Sequence, residues 1–312
     1  MTENSAAPDP VIIVWAVTWD VVLGDRAPGG TATYAARAAT ALGVRAYVLV
    51  AAGADADLSA FAEHELAVVR VEQTMTLEHR FDVGPLRSGR RRQRALAHPR
   101  RPLHPSDLPA HWPEPRTLIL GPLLPDDVDV AAFLDRAPGA EIALLAQGLQ
   151  RAVAPDGAIA ELDGPTAALL DPARPEVTIC LSEEEAARWE PGHSDSGDWN
   201  ALVARSRCVV VTREALGAEI RTPAGSHFVP ALPARVVDAT GAGDVFATAL
   251  ILAVRAGEEV AGRLAAACGA ACVERRGVAP LPARAELEAR AGITPDSLRR
   301  RAQQESAQGN YS

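Results

Sequence analysis

The 312-residue chain carries 31 Lys+Arg against 40 Asp+Glu, a net charge of −9, and every one of its basic residues is an arginine. The lack of lysine excludes a Walker-A loop, a protein-kinase β3 lysine, a pyridoxal Schiff base and a lysine general base. Any phosphate handled here is met by backbone amides, arginine and metal.

Hydrophobic residues make up 48% but aromatics only 4%, so Ala, Val and Leu must build the interior, a composition suited to helices lying close on a sheet. Residues 1–10 are polar, with neither a basic start nor an apolar stretch, and no run approaches the roughly 18 apolar residues of a membrane span. Cys180, Cys208, Cys268 and Cys272 form no C-x-x-C pair and read as small core residues of a reducing compartment. These features predict a cytoplasmic protein with a disordered N-terminus at 1–10.

In chain order, strand-like runs at 11–15, 46–50, 67–71, 117–120, 141–145, 177–181, 208–212, 218–221 and 227–229 alternate with helical patterns. The helical patterns fall at 30–42, 55–64, 128–134, 183–189, 199–206, 241–255, 259–273 and 284–291. The alternation predicts an α/β fold in three layers, a mostly parallel central sheet with helices on both faces. Between 72 and 98 two β-prone pieces, 74–83 and 92–97, interrupt it and read as a small flap, followed by a proline-rich connection. The predicted domain spans 11–292, with a polar tail at 293–312.

Charge is uneven. Arg87, Arg90, Arg91, Arg92, Arg94, Arg100 and Arg101 fall between 85 and 105 without an acid. The segment has no aromatic residue to stack a base and the remaining chain is acidic, so a charged edge strand that resists sheet-to-sheet pairing is the expectation, rather than a nucleic-acid patch. Contact with an anionic substrate is its alternative use. A cluster of Ser194, His193 and Asp195 lacks a G-x-S-x-G elbow and reads as a loop.

The most informative segment is Asp238-Ala239-Thr240-Gly241-Ala242-Gly243-Asp244-Val245-Phe246-Ala247, followed by an apolar helix. Gly241 and Gly243 allow a tight turn at a helix start, where the amides of 241–244 converge with the positive end of the helix dipole into an anion hole. Asp244, in the first turn, places a carboxylate beside it. Phosphoryl transfer needs this pair, charge stabilisation for the moving group and a base for the attacking hydroxyl. The formal match to G-x-G-x-x-G/A is weak, because no strand ending in an acid follows about 20 residues on. An ordinary glycine-containing helix start is the remaining alternative.

The run Asp-x-Thr-Gly-Ala-Gly-Asp-x-Phe resembles the C-terminal signature of the PfkB, or ribokinase-like, carbohydrate kinases. Gly29-Gly30 through Tyr34, with Ala41-Leu42-Gly43, looks like that family's di-glycine turn and first helix. Thr18-Trp19-Asp20 resembles its sugar-binding segment, Ser182 to Glu185 its N-x-x-E motif, and Val209 to Gly217 its nucleotide-side strand and turn. The flap at 72–98 corresponds to its β-lid. The resemblance covers roughly 11–292.

It implies an ATP- and Mg²⁺-dependent kinase acting on a hydroxyl of a sugar, cyclitol or related polyol, a small-molecule substrate, with no nucleic-acid or membrane partner. Asp244 would be the base, with Gly241, Ala242 and Gly243 as the anion hole. Asp20, Gly29, Gly30 and Tyr34 would meet the acceptor. Ser182, Thr212, Gly217 and Thr240 would lie by the nucleotide, and Glu185 would orient water or Mg²⁺. A K⁺ site near Asp238 and dimerisation through the lid are compatible with the resemblance without following from these residues. The chain departs from the family pattern at Tyr34 and Ser182, both usually asparagine, at Glu214, usually glycine, and at Ala266, often asparagine. These departures keep open an alternative, a catalytically degenerate sugar- or nucleotide-binding module.

Overall fold

A computed structural model describes residues 9–81, 91–163, 166–188 and 197–294. In chain order its strands and helices are β1 (Val11–Ala16), β2 (Thr18–Val22), β3 (Asp25–Gly29), α1 (Thr31–Ala41), β4 (Tyr47–Ala52), β5 (Glu65–Arg70), β6 (Met75–Phe81), β7 (Arg91–Ala97), β8 (Thr117–Gly121), α2 (Val130–Arg136), β9 (Glu141–Leu145), β10 (Arg151–Val153) and β11 (Ala158–Glu161). Then come α3 (Ala167–Leu170), β12 (Val177–Ser182), α4 (Glu183–Ala187), α5 (Gly197–Arg205), β13 (Cys208–Thr212), β14 (Gly217–Thr222), β15 (Gly225–Pro230), α6 (Ala242–Ala253), α7 (Glu258–Val273) and α8 (Arg284–Arg290).

Nine strands form the main sheet in the order β15-β14-β13-β12-β9-β8-β1-β4-β5. Neighbours pair in parallel except β13–β14 and β14–β15, a hairpin at one edge. Strand β1 shows why both faces need cover. Val11, Ile13 and Trp15 enter a core shared with α1, α6, α7 and α8, whereas Ile12 and Val14 enter a second core with α2, α3 and α5. A strand alternates its side chains between faces, so a continuous apolar run is stable only between two layers. The three-layer α/β expectation holds. Alanine dominates the buried side of α1 and α7, where small side chains let helices approach closely.

Three sequence expectations change. The pattern at 55–64 yields only a 3₁₀ turn at Ser59–Phe61, because Asp57 accepts the Ser59 N–H at 2.9 Å and Asp55 accepts the Thr74 hydroxyl at 2.6 Å. Short acidic side chains that bond nearby backbone compete with a helix. The flap is larger than a strand pair: six strands in the order β10-β11-β7-β6-β2-β3 form a second sheet, so 18–29 and 151–161 join the inserted segment. The arginine-rich β7 is also not an edge, since β6 flanks it on one side and β11 on the other. Arg92 and Arg94 are exposed while Gln93 and Ala95 between them are half-buried, so the charge occupies one face of an interior strand. The loop with His193, Ser194 and Asp195, together with Arg87, Arg90, most of the N-terminal decapeptide and most of the tail, lies outside the described residues.

Candidate active site

The chemistry-bearing residues gather at the C-terminal ends of the parallel strands, where open α/β sheets bind ligands. Strand β1 leads directly into β2, which carries Asp20. Its Oδ1 accepts from the Thr18 hydroxyl at 2.9 Å and lies 3.3 Å from His79 Nε2 on β6. Gly29 faces this carboxylate, for a Cβ there would fall 2.3 Å from Asp20 Oδ2. Gly30, at φ 89°, caps α1 and packs on the backbone of Ala16–Thr18. Thr31 donates to the Gly121 carbonyl at the end of β8 at 3.2 Å, and Thr33 donates to the Gly29 carbonyl at 2.9 Å. The di-glycine turn is thus pinned from both sides.

Gly241 caps α6 in the left-handed conformation, φ 76°. The Val245 N–H donates to the Gly241 carbonyl at 2.9 Å and the Ala242 N–H to the Ala239 carbonyl at 3.3 Å, so Gly243 lies in the first turn, whose N–H groups precede the regular helical bonding. At Gly243 an added Cβ would meet open space. A phosphate fits such a helix start, and the lack of lysine is no obstacle there. Thr240 sits just before it, its N–H held by Asp238 Oδ1 at 3.0 Å. The other Asp238 oxygen accepts the Gly277 N–H at 2.9 Å. Burial raises the Asp238 carboxyl, but these two N–H groups, with the Thr240 side chain and the Arg276 charge, outweigh it and hold the group below the ordinary range.

Tyr34 joins the two halves. Its ring lies where a Cβ of Gly241 would project, 2.1 Å from ring carbon Cδ1, and the side chain is buried. Burial, then the charges of Asp20, Asp238 and Asp244, push its phenol well above the usual range, so it stays a neutral donor. Those three carboxylates therefore share one neighbourhood around Tyr34. Sequence reasoning missed Arg37, one turn along α1: its guanidinium stacks 5.5 Å from the Tyr34 ring and donates to the Gly277 and Ala279 carbonyls. A lone arginine in an alanine helix was the available signal. Cys272, which contacts the Thr240 carbonyl at 3.8 Å, has its thiol pushed up to about 11 by burial and stays protonated, as a core cysteine should.

Ser182, expected beside a nucleotide, caps α4 and spends its groups on Glu185. The Ser182 hydroxyl accepts the Glu185 N–H at 3.2 Å and Glu185 Oε2 accepts the Ser182 N–H at 2.8 Å, a reciprocal capping box. Glu185 is buried, and burial pushes its carboxyl up, opposed by the Ser182 N–H and by Arg151. A carboxyl raised on folding contributes its stability below the ordinary glutamate range and loses it as the pH rises through the raised value. Glu185→Gln, which keeps an acceptor for Ser182, is expected to lose less stability than the parent between about pH 5 and pH 8. Urea midpoints at the two pH values check this.

Thr212 ends β13, its hydroxyl donating to the Leu181 carbonyl at 3.3 Å. Gly217, φ 127°, begins β14 where a Cβ would lie 2.1 Å from the Val229 carbonyl oxygen. Between them Glu214 is exposed at φ 46°, a left-handed position that suits glycine. Its side chain therefore points to solvent, and the cost is backbone strain. Glu214→Gly is expected to raise stability by about 0.5–1 kcal/mol, strain relief less the glycine entropy, read as a higher urea midpoint. Ala266 is buried on α7. A depression of about 530 Å³ lined by the Arg26–Asp55 ion pair, Thr74, Thr76 and Leu96 shares no residue with this cluster.

Comparison with known proteins follows the same lines. The model of the pfkB family carbohydrate kinases matches residues 157–284, the stretch that holds Ser182, Thr212 and the Gly241 turn. Over that stretch the chain is similar to the pfkB family carbohydrate kinases. That match and the kinase structures that follow support a phosphotransferase of the carbohydrate-kinase class. Among solved structures, a Burkholderia thailandensis nucleoside kinase in complex with inosine superposes with a TM-score of 0.68 at 22% identity, over 90% of this chain and 96% of that one. A pyrophosphate-dependent kinase of the ribokinase family, complexed with a pyrophosphate analog and myo-inositol, gives 0.69 at 17% identity over 89% and 99%. Arabidopsis thaliana ribokinase complexed with ribose and ATP gives 0.64 at 18% identity over 92% and 99%. At these identities they share their fold with this chain. No curated sequence matches it. Among the described residues no helix is long and apolar enough to cross a membrane.

Proposed function

We propose that the chain transfers the γ-phosphoryl group of ATP to a hydroxyl of a small polyol, such as a sugar, cyclitol or nucleoside. The observation that carries this is Asp244 in the first turn of α6, directly after the left-handed Gly241, in one neighbourhood with Asp20 and Tyr34. Asp244 takes the proton of the attacking hydroxyl, and the Gly243 amide at the start of α6 faces the charge that develops on the phosphoryl group, whereas the Ala242 N–H is taken by the Ala239 carbonyl. Asp20 orients the acceptor, and Gly29 and Gly30 let the α1 turn pack against Asp20 and the Ala16–Thr18 backbone without a side chain between them.

Exposed apolar residues favour a nucleotide over pyrophosphate as donor. Leu216, Val236 and Val237 are 64%, 66% and 45% exposed on the two segments that carry Gly217 and Gly241. A nucleoside base has apolar faces that such residues cover, whereas pyrophosphate has none. Among the described residues no group of three or more His, Cys, Asp or Glu is arranged to hold a metal. Mg²⁺, when bound, would supply positive charge at the phosphates; Glu185 would meet it through water only when ionised, a state that its burial disfavours.

The test is ADP release by purified protein with ATP and Mg²⁺ over a panel of inositols, ribose, nucleosides and fructose phosphates, with pyrophosphate as a second donor. Release with one acceptor class supports the reading. Acceptor binding by calorimetry without ATP consumption would instead select the non-catalytic binding module.

A further inference from the structure

Beneath the lid a chain of polar side chains runs toward Asp20 that the proposed chemistry does not use. It starts at Arg151 on β10, 2% exposed, whose Nη1 donates to the Leu123 carbonyl at 3.0 Å and whose Nη2 donates to Gln93 Oε1 at 2.6 Å. Gln93 on β7 meets His79 Nδ1 at 3.2 Å, and His79 Nε2 lies 3.3 Å from Asp20 Oδ1. Register brings these residues together: His79 pairs with Gln93, and β2 lies alongside β6.

The polarity of this chain is determined at its origin. Arginine only donates, so Gln93 must present its oxygen to Arg151 and its amide N–H to His79. His79 Nδ1 is then an acceptor, and the neutral ring carries its proton on Nε2. That Nε2 is buried and makes no aligned hydrogen bond within the protein, despite its closeness to Asp20. A buried donor without an aligned acceptor costs on the order of 1–3 kcal/mol, so it persists where a ligand satisfies it. The result is a carboxylate acceptor and an N–H donor 3.3 Å apart on the acceptor side of the site.

We propose that His79 is a specificity-determining residue, reading with Asp20 two adjacent hydroxyls of the acceptor, while Gln93 and Arg151 are positioning residues that hold its tautomer. One hydroxyl donates to Asp20, and the oxygen of its neighbour accepts from His79 Nε2–H. The acceptor class is therefore a vicinal diol whose oxygens lie close together, and a monodeoxy analogue leaves one partner unsatisfied. This inference rests on the proposed kinase reading for its substrate, but not for its tautomer.

Nitrogen NMR on histidine-labelled protein, with His79 assigned by loss of its signal in His79→Gln, tests the tautomer directly. A neutral His79 with the proton on Nε2, moved to Nδ1 by Gln93→Glu, is expected; a proton on Nδ1 in the parent overturns the proposal. Titrating diol acceptors without ATP should shift the His79 Nε2 signal while deoxy analogues leave it in place, and equal responses overturn it even if no acceptor is phosphorylated, an outcome that by itself defeats only the kinase reading. In turnover, His79→Leu should raise KM for the diol about tenfold or more, with the ATP KM unchanged, and His79→Gln should recover part of the loss. KM for the deoxy analogue should be equal in parent and His79→Leu; a parallel rise for both acceptors overturns the proposal. Should His79→Leu fail to fold, Gln93→Leu, which frees the ring without removing it, carries the same comparison.

Discussion

Asp244→Asn is expected to lower turnover about 10³-fold while acceptor affinity stays within about twofold, since a positioned general base contributes on that order to a proton transfer in the transition state. Asparagine keeps the shape and one acceptor oxygen of aspartate, so the α6 start is preserved and the loss reports the missing base. Single-turnover phosphoryl transfer, with calorimetry of the acceptor alone, separates the two quantities. An Asn variant of normal rate assigns the proton to another group, and one that no longer binds acceptor makes Asp244 a binding residue. Tyr34, a neutral phenol amid Asp20, Asp238 and Asp244, is unsuited to replace it, because its own proton is held more tightly than in free tyrosine.

Gly241→Ala is expected to cost about 3 kcal/mol of stability and most of the activity. Two effects add. A left-handed φ of 76° penalises any Cβ by about 1–2 kcal/mol, and the new methyl would lie 2.1 Å from the Tyr34 ring in a well-packed site, an overpacking worth about 1–3 kcal/mol. The ring cannot swing aside cheaply, since Arg37 stacks on it and is itself tied to the Gly277 and Ala279 carbonyls. Chemical denaturation of Gly241→Ala beside Gly241→Ala/Tyr34→Leu divides the two: the double variant should recover the packing part and retain the backbone part. A single variant as stable as the parent would mean that the turn is not held in this geometry.

Comparing sequence with structure shows which features are local. The Gly241 turn and its aspartate, the Gly29-Gly30 turn and the apolar strands of the main sheet were legible because each depends on a few adjacent residues. Glu214 was legible too, as a carboxylate where the resemblance implies a glycine, and its φ of 46° is a backbone position that suits glycine. The lid was misjudged for the opposite reason. Strands β2 and β3 are short and contain Asp20 and Pro28; β2 is held by β6 and β3 by β2, while β11, which covers β7, and its partner β10 come about 60 residues later in the chain. With that distant partner hidden, the arginines of β7 resembled protection of an edge.

His79 shows the same limit at the level of function. Alternation along 75–81 places Met75, Leu77 and His79 on one face, which the sequence displays, but nothing local says that this face meets Asp20 or that Gln93 and Arg151 stand behind it. The sequence by itself determined a lysine-free anion hole with its carboxylate, because helix-start geometry is written in neighbouring residues. Only the tertiary structure decided what surrounds that turn. The packing of Tyr34 on Gly241, the lid built from three separate segments, and the chain from Arg151 to Asp20 all depend on residues far apart in the chain, which sheet register and burial bring within a few ångströms.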